Sequence, residues 1–309
     1  MTEKLSEISK TKREQITADF RTYLSEERGL SREALGNASR LAGRFLAARF
    51  PDDDVVFAKV IPGDITRFVQ REASLFGPGR TKSMVWALRT FFRYLRHRGY
   101  IEVNLAGCVP SVPEYSLSTL PKYLPCGSVE RVLQSCDRTI SQGRRDYAIM
   151  LLLARLGLRG GEVVGLMLDD VDWDLGQISV RGKGGRFAKL PLPADVGEAL
   201  ADYLKRDRQH SSSRRLFLTL TTPATGIAST CIVSSLVKRA LARAGVESER
   251  KGAHLFRHTL ATEMLQRGAK LSEIGELLRH RNTNTTRIYA KVDLAALRKL
   301  AQTWPGGAR

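Results

Sequence analysis

His254-Leu-Phe-Arg-His258, then Leu277-Leu-Arg-His280, then Thr285-Thr-Arg-Ile-Tyr289-Ala-Lys-Val292 is the stretch that decides the reading of this chain. Tyr289 stands nine residues after His280 and 32 after Arg257. Working upstream, Arg159 lies in Leu156-Gly-Leu-Arg-Gly-Gly-Glu-Val163, and Lys183 lies in Gly182-Lys-Gly-Gly-Arg186. Breaking a phosphodiester without a metal needs a nucleophile, positive charge on the non-bridging oxygens and an acid for the departing oxygen. Two arginines, two histidines, a lysine and a tyrosine supply all three.

Each of these residues has an ordinary explanation when taken alone. Tyr289 alone reads as a packed aromatic, and Arg159 as a solvated loop arginine in an arginine-rich chain. Glu162, three residues after Arg159, adds a carboxylate that can hold the guanidinium in a fixed plane for phosphate. His254 and Arg257 sit at i and i+3 near a helix start, so both can face one cleft. His258 is expected to face elsewhere and to be structural. Lys183 reads as a solvated turn lysine or as a functional one, with Lys189 on the return strand as the fallback. A phenolate at Tyr289 is expected to be made accessible by nearby cations.

Composition agrees with a polyanion partner. The 309 residues carry 50 Lys and Arg against 32 Asp and Glu, a net charge of +18. Such an excess favours nucleic acid, because each neutralised phosphate releases condensed counterions. The hydrophobic fraction of 42% is enough for packed cores. Four cysteines at 108, 126, 136 and 231 have no metal-ligand spacing and read as reduced, mostly buried thiols. The charged start has no signal-peptide apolar region, and the longest apolar run, Tyr147 to Ala154, is too short to span a bilayer. These features predict a cytoplasmic protein with no membrane partner, metal or cofactor.

Periodicity predicts helices over 13–28, 31–50, 63–76 and 80–98, a small all-α domain. Between Gly77 and Gly99 lie Arg80, Lys82, Arg89, Arg93, Arg96 and Arg98 with no acidic residue, a stripe suited to DNA backbone. Residues 107–125 hold four prolines and read as an extended linker. The expected division is residues 1–112, a linker at 113–124 and a second domain at 125–309. In the latter, helices are expected at 128–136 and 145–156, with a break at Gly157. Strands are expected at 169–173, 177–181 and 187–192, with a glycine-rich hairpin between the last two. Further helices follow at about 194–206, 229–244, 255–267, 272–279, 286–291 and 293–303. The fold class is mainly α with a small antiparallel β-sheet, a four-helix domain preceding an α+β one.

The order and spacing of Arg159, Lys183, His254, Arg257, His280 and Tyr289 resemble the tyrosine recombinases, the phage-integrase family of the simple two-domain type. The resemblance implies that Arg159 and Arg257 clamp the scissile phosphate and that His254 accepts a proton or hydrogen bond. It makes Lys183 the general acid, His280 a phosphate hydrogen-bonder and Tyr289 the nucleophile. Family members mostly carry Leu-Gly-His where this chain has Leu278-Arg279-His280, which puts the local turn in question and leaves Arg279 either on DNA or in solvent. The larger integrases carry an additional arm-binding domain, for which the start of this chain leaves no space. Implied partners are double-stranded DNA at a specific recombination site and three further protomers, the last helix linking four subunits. An apolar stripe of Leu294, Leu297, Ala301 and Trp304 fits that helix, or packing on its own domain. The expected activity is site-specific recombination through a 3′-phosphotyrosine and a Holliday junction, as in a mobile-element integrase or transposase. A type IB topoisomerase and a non-catalytic DNA-binding regulator are the alternatives.

Overall fold

The computed structural model describes residues 11–30, 32–111, 120–182, 187–280 and 283–292. The chain divides into two compact units, Met1–Tyr115 and Ser116–Arg309.

The first unit is built from α1 (Lys12–Glu26), α2 (Arg32–Arg49), α3 (Pro62–Leu75) and α4 (Pro78–His97). The Thr11 hydroxyl accepts from the Glu14 N–H while the Glu14 carboxylate accepts from the Thr11 N–H, a reciprocal cap that starts α1. Pro62 and Pro78 open α3 and α4, where a missing N–H costs nothing. The apolar faces meet in an aromatic core, with Phe20 edge-on to Phe91 at 5.0 Å and Phe45 edge-on to Phe92 at 5.2 Å. Leu105, Ala106 and Val109 are buried in this same core. The start of the proline-bearing stretch therefore packs instead of running extended, through a 3₁₀ turn at Leu105–Cys108.

The second unit comprises α5 (Ser128–Gln134), α6 (Ser141–Arg155), α7 (Gly160–Gly165), β1 (Val171–Asp172), β2 (Gln177–Arg181) and β3 (Phe187–Pro191). It continues with α8 (Ala194–Arg206), α9 (Thr230–Arg243), α10 (Ala253–Gln266), α11 (Leu271–Leu277), α12 (Thr283–Thr286) and a 3₁₀ segment, Arg287–Val292. Every residue from Ala148 to Ala154 is buried, so α6 is the axis on which α8 and α10 pack. The sheet is antiparallel in the order β1-β2-β3, with Ile178 opposite both Val171 and Leu190 and Val180 opposite Ala188. Its buried face, Ile178, Val180 and Leu190, joins the α6 core. Mainly α with one small antiparallel sheet is thus the observed class.

Several details differ from the sequence reading. The helix expected from 145 starts at Ser141, because its polar first turn carries no apolar signal. The loop expected at Arg159 is the short helix α7. The helix expected at 286–291 is α12 followed by the 3₁₀ segment. Cys136 alone among the cysteines is buried; Cys126 and Cys231 are exposed, and all four are free. Lys183 and the hairpin tip, most of the expected linker and the tail from 293 onward lie outside the described residues. No helix among the described residues is long and apolar enough to cross a membrane.

Candidate active site

The end of α6 sets the first corner of the site. Gly157 has φ +55°, and a Cβ there would lie 2.8 Å from the Leu278 side chain, so glycine answers both a left-handed turn and a close approach. Its carbonyl accepts from the Arg257 guanidinium at 2.7 Å. Two residues on, Arg159 caps α7, and Glu162 in the first turn of that helix reaches back to it. The Glu162 carboxylate accepts from the Arg159 N–H at 2.9 Å and from its guanidinium at 2.6 Å. Glu162 is buried while the Arg159 side chain is 31% exposed, so the carboxylate anchors a guanidinium that remains open on one side.

The second corner is the N-terminal half of α10. Arg257 is buried and donates to the carbonyls of Gly157 and Leu278, tying α6, α10 and α11 together. His254 precedes it by one turn and is exposed. His258 corrects the sequence reading: its Nδ1 lies 2.9 Å from the Tyr289 hydroxyl. Positions 254 and 258 are separated by four residues and share a helix face, a spacing that identifies His258 from sequence alone.

The third corner is the turn after α11. The His280 N–H donates to the Gly275 carbonyl and the Arg279 N–H to the Glu276 carbonyl, both at 2.9 Å, a Schellman ending. This turn puts Arg279 at φ +54°, in the left-handed region that glycine takes at least cost. The turn survives the loss of glycine, and the Arg279 side chain is neither solvated nor directed outward. It is 10% exposed and donates to Glu162 at 2.9 Å. His280 Nδ1 lies 2.7 Å from the Thr286 hydroxyl, and its ring lies parallel to Tyr289 with centroids 6.4 Å apart.

Electrostatically, the site is a crowd of cations around neutral imidazoles. Burial would raise the Glu162 pKa, but the Arg159 N–H and the guanidiniums of Arg279 and Arg159 outweigh it and hold the carboxylate ionised. Burial, then Arg159 and Arg279, push Arg257 down to about 9, still charged at neutral pH but short of an anion. Burial, then His254, Arg250 and Arg257, push His258 to about 4. Burial, then Arg257 and Arg159, push His280 to about 4. Partial desolvation and then Arg257 and Arg159 lower His254. Tyr289 is 1% exposed, and burial raises it to about 12 against the pull of Arg257 and Arg159. The two guanidiniums therefore do not offset burial at the phenol, and the nitrogen in contact with its hydroxyl is His258 Nδ1.

Arg159, Glu162, Arg257, His280 and Tyr289 thus line one site together with His254, and the sequence reading missed two members, His258 and Arg279. Lys189, the fallback lysine, is exposed on β3. In the first unit, α4 turns Arg80, Lys82, Arg93 and Arg96 outward. Arg89 is half-buried, donating to the Val109 carbonyl and the Ser111 hydroxyl. Trp86, 44% exposed, sits between Lys82 and Arg93 on this face. An exposed tryptophan inside a basic stripe was visible in the sequence but hidden among the aromatic core positions of α4.

Comparison with known proteins bears on the family and the fold. A chain named integrase/recombinase y4rA from Sinorhizobium fredii is 49% identical over 296 residues, covering 96% of this chain and 72% of that one. The tyrosine recombinase XerC of Thermodesulfovibrio yellowstonii is 34% identical over 251 residues, covering 78% of this chain and 82% of its own. Among solved structures, the XerH site-specific recombinase in a post-cleavage complex with its difH substrate superposes with a TM-score of 0.73. It is 19% identical and covers 93% of this chain and 84% of XerH. A lambda integrase tetramer bound to a Holliday junction gives a TM-score of 0.66 at 16% identity, covering 89% of this chain and 76% of that one. The profile described as the phage integrase family matches residues 122–295, more than half of the sequence and all the site residues named above. The chain belongs to the phage integrase family, the tyrosine recombinases that break and rejoin DNA.

Proposed function

We propose that this protein is a site-specific DNA recombinase in which Tyr289 attacks a phosphodiester and becomes joined to the 3′ phosphate. The observation that carries the reading is the Tyr289 hydroxyl, 2.9 Å from a neutral His258 and beside two guanidiniums, Arg257 held by carbonyls and Arg159 open on one side. A phosphate entering between Arg159 and Arg257 relieves their mutual repulsion and puts negative charge beside His258. That charge raises the imidazole pKa, so proton transfer from the phenol runs together with attack on phosphorus. The new P–O(Tyr) bond forms as the bond to the 5′ oxygen breaks, and that oxygen takes a proton from a general acid. By family resemblance the acid is Lys183. His280 and His254 donate hydrogen bonds to the phosphate oxygens, Arg159 and Arg257 neutralise them, and Glu162 orients Arg159. Attack on the phosphotyrosine by a 5′ hydroxyl from a partner duplex reverses the chemistry, so rejoining needs no external energy source.

Strand exchange between two duplexes needs four active sites, and a tetramer on double-stranded DNA follows; the lambda integrase tetramer on a Holliday junction supports it. The division into an N-terminal DNA-binding unit and a catalytic unit is part of the same reading, with Arg80, Lys82, Trp86 and Arg93 of α4 on DNA. A cytoplasmic location and a mobile-element role fit the charge and the similarity to y4rA. The test is a nicked suicide substrate carrying the recombination site. The parent protein should accumulate a covalent DNA adduct and Tyr289→Phe should bind but form none. Full adduct yield from the Phe variant would move the nucleophile elsewhere.

A further inference from the structure

The left-handed arginine at 279 is the feature the proposed reaction does not explain. Glycine would make the same Schellman turn without strain. This chain instead keeps a side chain with two costs: a backbone at φ +54° and a buried Nε with no hydrogen-bond partner among the described residues. Against those costs stands the contact with Glu162 Oε2, the same oxygen that accepts the Arg159 N–H.

The arithmetic of charge explains the arrangement. Glu162 and Arg159 alone form a neutral pair. With Arg279 added, the trio carries a net positive charge; Oε1 of Glu162 holds the Arg159 guanidinium, while Oε2 is shared between the Arg159 N–H and Arg279. Arg159 keeps an open side. We infer that Arg279 is a positioning residue that works through Glu162, sparing the Arg159 guanidinium for the scissile phosphate. This rests on the recombinase reading above, since it assigns Arg159 to that phosphate.

The experiment measures single-turnover adduct formation, half-site affinity and thermal midpoint for the parent, Arg279→Gly, Arg279→Lys, Glu162→Gln and the Arg279→Gly/Glu162→Gln double variant. Arg279→Gly should fold and bind the half-site with parental affinity, yet form adduct about ten- to a hundredfold more slowly. Arg279→Lys, which restores a charge beside Glu162, should recover most of the rate. In the Glu162→Gln background the glycine substitution should change the rate by less than about twofold, because its route of action is already gone. A parental rate for Arg279→Gly, or losses that simply multiply in the double variant, would overturn the assignment. If the glycine variant fails to fold, Arg279→Asn, which tolerates the left-handed backbone, takes its place with the same criteria. A parent protein that binds its site but forms no adduct would overturn the proposed function and this inference with it. A normal parent and an unaffected glycine variant would overturn this inference alone.

Discussion

The two units use arginine in opposite ways. On α4, Arg80, Arg93 and Arg96 project into solvent with Lys82 and Trp86. In the second unit, Arg257 is turned inward onto two backbone carbonyls, Arg279 onto a buried carboxylate, and Arg159 is open on one side only. An exposed cation is screened by water and salt, so it contributes affinity in small, additive steps. A buried cation costs desolvation energy that protein partners offset only in part, and it is tolerated where an anion is due to arrive. In the proposed reading, that difference is the one between a surface that holds DNA and a pocket that reacts with it.

Removing charge from each cluster in turn shows which property depends on it. Arg257→Lys should lower the single-turnover adduct rate by about 10²- to 10³-fold, the range for loss of a preorganised phosphate-stabilising group. Its DNA affinity should change little; a variant that cleaves normally but binds poorly would invert the assignment. His258→Gln should lower the same rate by about 10²-fold through loss of the proton acceptor. His254→Gln, at a ring that lies beside His258 rather than against the phenol, should cost less. An equal or larger loss at His254 would return the base to the position the sequence suggested.

Acidity gives a subtler contrast. His258 and His280 sit near 4 in the folded protein, below the ordinary imidazole value of 6.5. Between those values the unfolded chain binds more protons than the folded one, so stability rises with pH and is lost as pH falls from 6.5 toward 4. Each histidine should contribute on the order of 1 kcal/mol, and a His258→Gln/His280→Asn variant should flatten denaturant midpoints measured across that window. An unchanged pH profile would mean that the two rings are not desolvated. DNA affinity carries the smallest effect. Arg93→Ala should make the log–log salt slope shallower by about 0.9, the contribution of one phosphate. Arg89→Ala should alter it less, because its guanidinium is held by Val109 and Ser111. Equal slope changes at the two positions would mean that Arg89 leaves those partners to meet DNA.

How far these contrasts were legible in sequence depends on what kind of information each residue carries. Helices α1 to α4 declare themselves because their apolar positions recur at helical spacing and meet one core. The site residues declare themselves by order, since Arg159, Arg257, His280 and Tyr289 are far apart in the chain and only their succession joins them. The helix α7 was invisible, as Gly160 and Gly161 read as a loop and its stability comes from Glu162 reaching back to Arg159. Arg279 was also illegible: glycine's absence announced a problem, but the buried carboxylate that receives the side chain is 117 residues away. His258 is legible as the i, i+4 neighbour of His254 on one helix face, a spacing overshadowed by the i, i+3 pair of His254 and Arg257.

In the proposed mechanism, chemistry belongs to the buried cluster and converges on one hydroxyl. The most direct measurement is to trap the covalent complex on a suicide substrate, trim the DNA with nuclease, digest the protein and locate the attached nucleotide by mass spectrometry. The account predicts a single modified peptide, with the nucleotide joined through its 3′ phosphate to Tyr289. Attachment to any other residue, or through a 5′ phosphate, would contradict it.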